Sequence, residues 1–133
     1  MSDHTPSFRI AVVDDDRSLL QSITSLLESA DYTVRQFSSA SALIDSNSLP
    51  EIDCLISDVD MPITDGLALL RVVRAARANL PVIFVTGHPE MLNRSPSAGS
   101  DYYRIFTKPF KGHELLAAVS EVLNDRHPYA SRS

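Results

Sequence analysis

The residues able to do chemistry fall at a few places along the chain: the carboxylates Asp14-Asp15-Asp16, the carboxylate of Asp58, the hydroxyl of Thr86 and the ammonium of Lys108. Each stands where a short apolar run ends: Arg9–Val13, Asp53–Ser57, Pro81–Val85 and Arg104–Thr107. Carboxylates packed together raise one another's pKa, so such a cluster asks for a cation. Oxygen donors in an incomplete cage suit Mg²⁺ (or Mn²⁺), which keeps several waters and takes one or two carboxylates. Asp15, Asp58 and a nearby backbone carbonyl would hold the ion, with Asp14 beside them, and leave a position for a phosphoryl oxygen. The chemistry that follows is phosphoryl transfer, in which Asp58 attacks phosphorus in line and becomes an acyl phosphate. Lys108 supplies a point charge, and Thr86 a hydrogen bond to another phosphoryl oxygen.

Each of these residues also has an ordinary use. An acid after a strand caps the next helix and meets its positive end, and Asp16 is the candidate for that role. Thr86 suits a strand because it is β-branched, and a lysine at a strand end is commonly solvated. What sets them apart is their joint placement, and that depends on the elements that carry them.

Three of the apolar runs, those at residues 9–13, 53–57 and 81–85, are nearly continuous, as parallel strands covered on both faces are. Thr33–Phe37 contains Arg35 and Gln36 and reads as an edge strand. Between the runs, Leu19, Leu20, Ile23, Leu26, Leu27 and Ala30 recur at helical spacing. So do Leu67, Leu69, Leu70, Val73 and Ala76, with Arg71, Arg74 and Arg77 on the other face, and Leu115, Leu116, Val119, Val122 and Leu123 near the end. Ser39–Asp45 is a shorter helical segment. Only Glu90–Arg94 looks helical after the fourth run, because Pro96 and Gly99 follow closely, so that helix is expected to be short or irregular. Residues 1–7 and 126–133 read as tails around one domain at 8–125.

Strands alternating with helices predict an α/β fold, a flavodoxin-like doubly wound (βα)5 three-layer sandwich with parallel strand order 2-1-3-4-5. In such sheets the functional crevice lies outside the carboxyl ends of the strands, at the switch in strand order. With strands one and three adjacent, Asp14, Asp15 and Asp58 meet at that edge, and Thr86 and Lys108 end the next two strands.

Composition excludes several classes of function. At 133 residues the chain has room for one domain with a core of its own. A net charge of −5 argues against direct nucleic-acid binding, which wants a basic face. The single cysteine, Cys54, rules out an internal disulfide and lies in an apolar run, as a core residue does. No run is long enough to span a membrane, and Met1–Ser7 lacks the pattern of an export signal, so a cytoplasmic protein is expected.

At the residues singled out above, the sequence closely resembles the receiver domain of two-component response regulators, over roughly residues 8–125. Val12–Asp16 resembles the family's acidic segment, with Asp14 and Asp15 as the pair, and Ser57–Gly66 its phosphoacceptor segment, with Asp58 as acceptor and Asp65-Gly66 opening a helix. Val85-Thr86-Gly87 is similar to the switch-threonine segment and Thr107–Phe110 to the lysine–proline segment. The resemblance implies a cis bond between Lys108 and Pro109 and a metal-bound backbone carbonyl from Asp60. It also implies that Asp60 and His88 flank the phosphoryl group and tune its lifetime. One departure stands out: Ile105 occupies a place where the family usually carries Tyr or Phe, the aromatic that turns inward as the threonine moves. Phe106 is adjacent, but strand alternation aims it at the opposite face.

The resemblance implies a bacterial signalling protein that is phosphorylated on Asp58 by a sensor histidine kinase, a phosphotransfer protein or a small phosphodonor. It would promote its own phosphorylation and dephosphorylation rather than turn over a substrate. A homodimer is an open alternative, as is a stand-alone receiver against one cut from a longer regulator, since no output domain follows residue 125. Two other readings compete. One is a receiver-like interaction module that makes no use of phosphate, against which stands the complete set Asp14, Asp15, Asp58, Thr86 and Lys108. The other is an Asp-nucleophile phosphatase suggested by Asp58-Val59-Asp60; it has no place for the triple aspartate and lacks a substrate-selecting cap.

Overall fold

The computed structural model describes residues 8–59, 66–88 and 103–132. Its strands are β1 (Arg9–Val13), β2 (Thr33–Phe37), β3 (Cys54–Asp58), β4 (Val82–Thr86) and β5 (Tyr103–Thr107). They form one parallel sheet in the order β2-β1-β3-β4-β5, the order expected from the sequence. Among the described residues the α-helices are α1 (Arg17–Ser29), α2 (Ala40–Asp45), α3 (Gly66–Ala76) and α4 (Gly112–Arg132), with a 3₁₀ turn at Leu49–Glu51. The short helix expected at 90–94, the tail at 1–7, and Asp60 and Asp65 lie outside the described residues. The helix expected around Leu115–Leu123 is α4, which runs on to Arg132 through most of the segment read as a tail. No glycine interrupts residues 113–132, so only Pro128 opposes continuation, through the loss of one backbone donor.

Strand alternation gives each face of the central strands its own core. Ala11, Val13, Leu55 and Phe84 pack against Leu43 of α2 and Leu69, Leu70 and Val73 of α3. On the other face Ile10, Val12, Cys54, Ile56, Ile83 and Val85 pack against Ile23 and Leu27 of α1 and Leu115, Val119 and Leu123 of α4. Cys54 is fully buried, as its apolar neighbours predict. At the sheet edge, β2 is mostly exposed. There Arg35 bonds Ser48 Oγ at 3.0 Å and pairs with Glu51 at 3.2 Å, while Gln36 donates to Thr24 Oγ1 at 2.9 Å.

Local chemistry fixes the helix ends. Asp16 caps α1 by accepting the N–H groups of Ser18 and Leu19 at 2.9 and 3.2 Å. Ser39 caps α2 by accepting the Ala42 N–H at 3.0 Å. At the far end of α1, Tyr32 N–H bonds the Leu27 carbonyl at 3.2 Å and Asp31 N–H the Glu28 carbonyl at 3.0 Å, the paired bonds of a Schellman ending. That ending puts Asp31 at φ 71°, a left-handed conformation that glycine adopts more easily.

Arg74 and Arg77, expected on the face of α3 away from its apolar stripe, are both tied down. Arg74 donates to the Leu80 carbonyl at 2.6 Å, and Arg77 to the Leu49 and Ile52 carbonyls at 2.6 and 3.1 Å. Their heads thereby satisfy backbone oxygens in the segments just before β3 and β4. Among the described residues no helix is long and apolar enough to cross a membrane.

Candidate functional site

The site is built where β1 and β3 end side by side. Val13 faces Ser57 in the parallel register, so the next residues along, Asp14 and Asp58, are neighbours. Alternation aims both toward the α1 and α4 side, continuing the rows Ile10, Val12 and Cys54, Ile56. Asp14 is 1% exposed and Asp58 3%, whereas Asp15 is open to solvent. One carboxylate oxygen from each of Asp14, Asp15 and Asp58 lies within 4.8 Å of the others. Asp16, the fourth acid in sequence reach, instead commits its carboxylate to the cap of α1.

Lys108 reaches this group from the end of β5. Its Nζ lies 3.0 Å from Asp58 Oδ1, forming an ion pair in which the carboxylate is buried and the lysine partly exposed. The Lys108–Pro109 bond is cis, as the resemblance implied. Lys108 N–H also donates to the Thr86 carbonyl at 2.8 Å, which fixes the start of the loop to the end of β4.

Asp14 carries the electrostatic tension of the site. Burial is the main cause that lifts its carboxyl from 3.8 to about 6, and the nearby Asp58 carboxylate adds to it. The Asp16 N–H, 2.8 Å from Asp14 Oδ1, and the Lys108 charge act in the opposite direction. Asp14 Oδ2 is buried with no hydrogen-bond partner among the described residues. Such an oxygen ordinarily demands a donor or a cation. Three clustered carboxylates facing one ammonium, with a buried oxygen left over, fit a hard divalent cation such as Mg²⁺ or Mn²⁺.

Thr86 ends β4 and is fully buried, on the face shared by Val82 and Phe84 rather than the face of Asp14 and Asp58. Its Oγ1 accepts the N–H of His88 at 2.8 Å. The structure thus brings Asp14, Asp15, Asp58 and Lys108 together and sets Thr86 at the adjacent strand end, its hydroxyl engaged with the loop. His88 itself is exposed. Ile105 pairs with Phe84 in register and packs on the α2 and α3 side. Phe106 packs on the opposite side, where its ring meets Phe110 edge-on at 6.1 Å. Asp60 lies outside the described residues.

Sequence reasoning did not foresee the turn in which Thr86 holds the His88 amide. The available signal was a hydroxyl residue two positions before a loop amide, a common side-chain turn. Asp16, the candidate cap of the next helix in the sequence, is the cap of α1.

Comparison with known proteins agrees with this arrangement. The family model described as the response regulator receiver domain matches residues 10–120. Response regulator protein TodT of Pseudomonas putida is 34% identical over 114 residues, which are 86% of this chain and 50% of TodT. The transcriptional regulatory protein FixJ of Bradyrhizobium diazoefficiens is 30% identical over 126 residues, 95% of this chain and 62% of FixJ. The chain therefore spans about half the length of TodT. Among solved structures, a response regulator receiver domain protein from Clostridium thermocellum superposes with a TM-score of 0.80 at 28% identity, covering 90% of this chain and 97% of that one.

Proposed function

This chain belongs to the response regulator receiver domain family of two-component systems, and from that premise we propose that it accepts a phosphoryl group on Asp58 and changes its partner contacts as a result. The observation that carries the reading is the convergence of Lys108 on Asp58, 3.0 Å away, beside the carboxylates of Asp14 and Asp15. Two groups of opposite charge thereby flank one buried carboxylate that can act as a nucleophile.

In this proposal Asp58 attacks the phosphorus of a histidine kinase phosphohistidine, a phosphotransfer protein or a small acyl phosphate. The leaving group departs in line, and the product is an aspartyl phosphate. Lys108, already beside Asp58 Oδ1, holds the carboxylate and then pairs with the added phosphoryl oxygens. Asp14, Asp15 and Asp58, with the Asp60 carbonyl, would hold Mg²⁺, whose charge neutralises the transferring phosphoryl group. Thr86 supplies its hydroxyl to a phosphoryl oxygen, and because that hydroxyl is bonded to the His88 amide, its movement carries the loop with it. The chain turns over no separate substrate; it is its own phosphoacceptor, and the output belongs to a partner or an output domain.

The test is incubation with acetyl phosphate and Mg²⁺, read by intact mass. A gain of one phosphoryl mass that is absent from Asp58→Asn supports the reading. An unchanged mass in the wild-type chain overturns it in favour of an interaction module that makes no use of phosphate.

A further inference from the structure

We infer that Asp16 is a positioning residue for the cation-binding carboxylates, holding Asp14 in place by anchoring the turn between β1 and α1; this rests on reading that cluster as a cation site. The residue works in two directions at once. Its backbone N–H donates to Asp14 Oδ1 at 2.8 Å, the bond that orients a carboxylate only 1% exposed. Its side-chain Oδ1 accepts the N–H groups of Ser18 and Leu19 at 2.9 and 3.2 Å, and its carbonyl accepts Leu20 N–H at 2.9 Å. The backbone is extended at φ −88° and ψ 107°, the conformation that allows a cap residue to face its own helix.

These bonds share one peptide segment. If the cap is lost, the first turn of α1 frays, and the backbone of residues 14–16 gains freedom just where Asp14 and Asp15 must stay close to Asp58. The carboxylate of Asp16 is thus used for its hydrogen bonds, and its negative charge is incidental to the cation. Asparagine and serine keep a side-chain oxygen that can cap, without the charge, whereas alanine removes both. Comparing these substitutions separates anchoring from electrostatic attraction.

The experiment measures Mn²⁺ binding to the full chain by loss of the free-ion electron paramagnetic resonance signal, with thermal unfolding recorded alongside. Asp16→Ala is expected to weaken Mn²⁺ binding roughly five-fold, the scale of a lost cap, while Asp16→Asn and Asp16→Ser stay within about two-fold of wild type. Equal weakening by Asp16→Asn and Asp16→Ala would overturn the inference in favour of a charge effect. So would an alanine variant that unfolds at lower temperature yet binds Mn²⁺ like wild type, since the cap would then serve the helix alone. If alanine prevents folding, Asp16→Asn decides alone: Mn²⁺ binding within about two-fold of wild type supports anchoring, and a larger loss overturns it in favour of a charge effect. A wild-type chain that bound no Mn²⁺ would overturn the cation site together with this role, whereas a wild type that binds and an alanine variant that binds equally would overturn only the role of Asp16.

Discussion

Lys108 Nζ stands 3.0 Å from Asp58 Oδ1, joining the ends of β5 and β3 across the end of β4. Asp58 is 3% exposed, so its partner matters more than one on an open surface would. Removing one member of a buried pair leaves the other charged and unpaired, which costs more than the pair itself is worth. Lys108→Met is therefore expected to destabilise the metal-free chain by about 2 kcal/mol, between the exposed and the fully buried case because the lysine is partly exposed. Urea unfolding without divalent ions measures this. Saturating Mg²⁺ should recover part of the loss, because a cation supplies the charge that lysine no longer does.

The second prediction concerns pH. The Asp14 carboxyl lies at about 6 in the fold against 3.8 unfolded, so between those values the folded chain holds the extra proton. Stability without a cation then falls as pH rises from about 4 to about 6, and is lowest above that window. The expected difference is about 1–3 kcal/mol, since a one-unit change in pKa is worth roughly 1.4 kcal/mol. Asp14→Asn should raise metal-free stability at pH 7 and flatten this dependence. Mg²⁺ should flatten it in the wild type as well, by favouring the charged carboxylate. Denaturant titrations at pH 5 and pH 7, with and without Mg²⁺, decide the matter. A wild type more stable at pH 7 than at pH 5 without metal would contradict the assignment.

How much of this was legible in the sequence follows from which forces act locally. The strands were readable because β1, β3 and β4 are buried on both faces and therefore nearly all apolar. Asp14, Asp15, Asp58 and Lys108 were readable because residues at neighbouring strand ends of a parallel sheet must meet. The direction of Thr86 was less so: a one-residue step along β4 changes the face, and the bond from the His88 amide depends on loop geometry with no sequence period. The bonds of Arg74 and Arg77 were not legible, because helical periodicity says which face a residue occupies, not which carbonyls a long side chain can reach.

A third prediction addresses a conformation that the sequence concealed. Asp31 occupies φ 71° at the end of α1, where its N–H bonds the Glu28 carbonyl. A β-carbon there costs energy that glycine avoids, although glycine also loses more entropy on folding. The balance favours Asp31→Gly by about 0.5 kcal/mol, since asparagine and aspartate tolerate this region better than other residues do. Thermal unfolding should show a modest rise in midpoint. Asp31→Val, β-branched in the same conformation, should lower it by a larger amount.

The fourth prediction concerns residue 105. Ile105 sits opposite Phe84 and packs on the α2 and α3 side, the same face on which Thr86 ends β4. A β-branched side chain has few rotamers to exchange, and Ile105 carries no ring whose swing could open or fill a large space. Phosphorylation of Asp58 is therefore expected to proceed while Ile105 keeps its packing against Phe84, with the change carried through Thr86 and the His88 amide bonded to its hydroxyl. Amide and methyl NMR spectra with and without beryllofluoride, a mimic of the aspartyl phosphate, can follow both. The expected outcome is a large shift of the His88 amide and a small one of the Ile105 methyls. Rearrangement of the whole stretch 86–110, Ile105 included, would show that this position switches despite its lack of a ring.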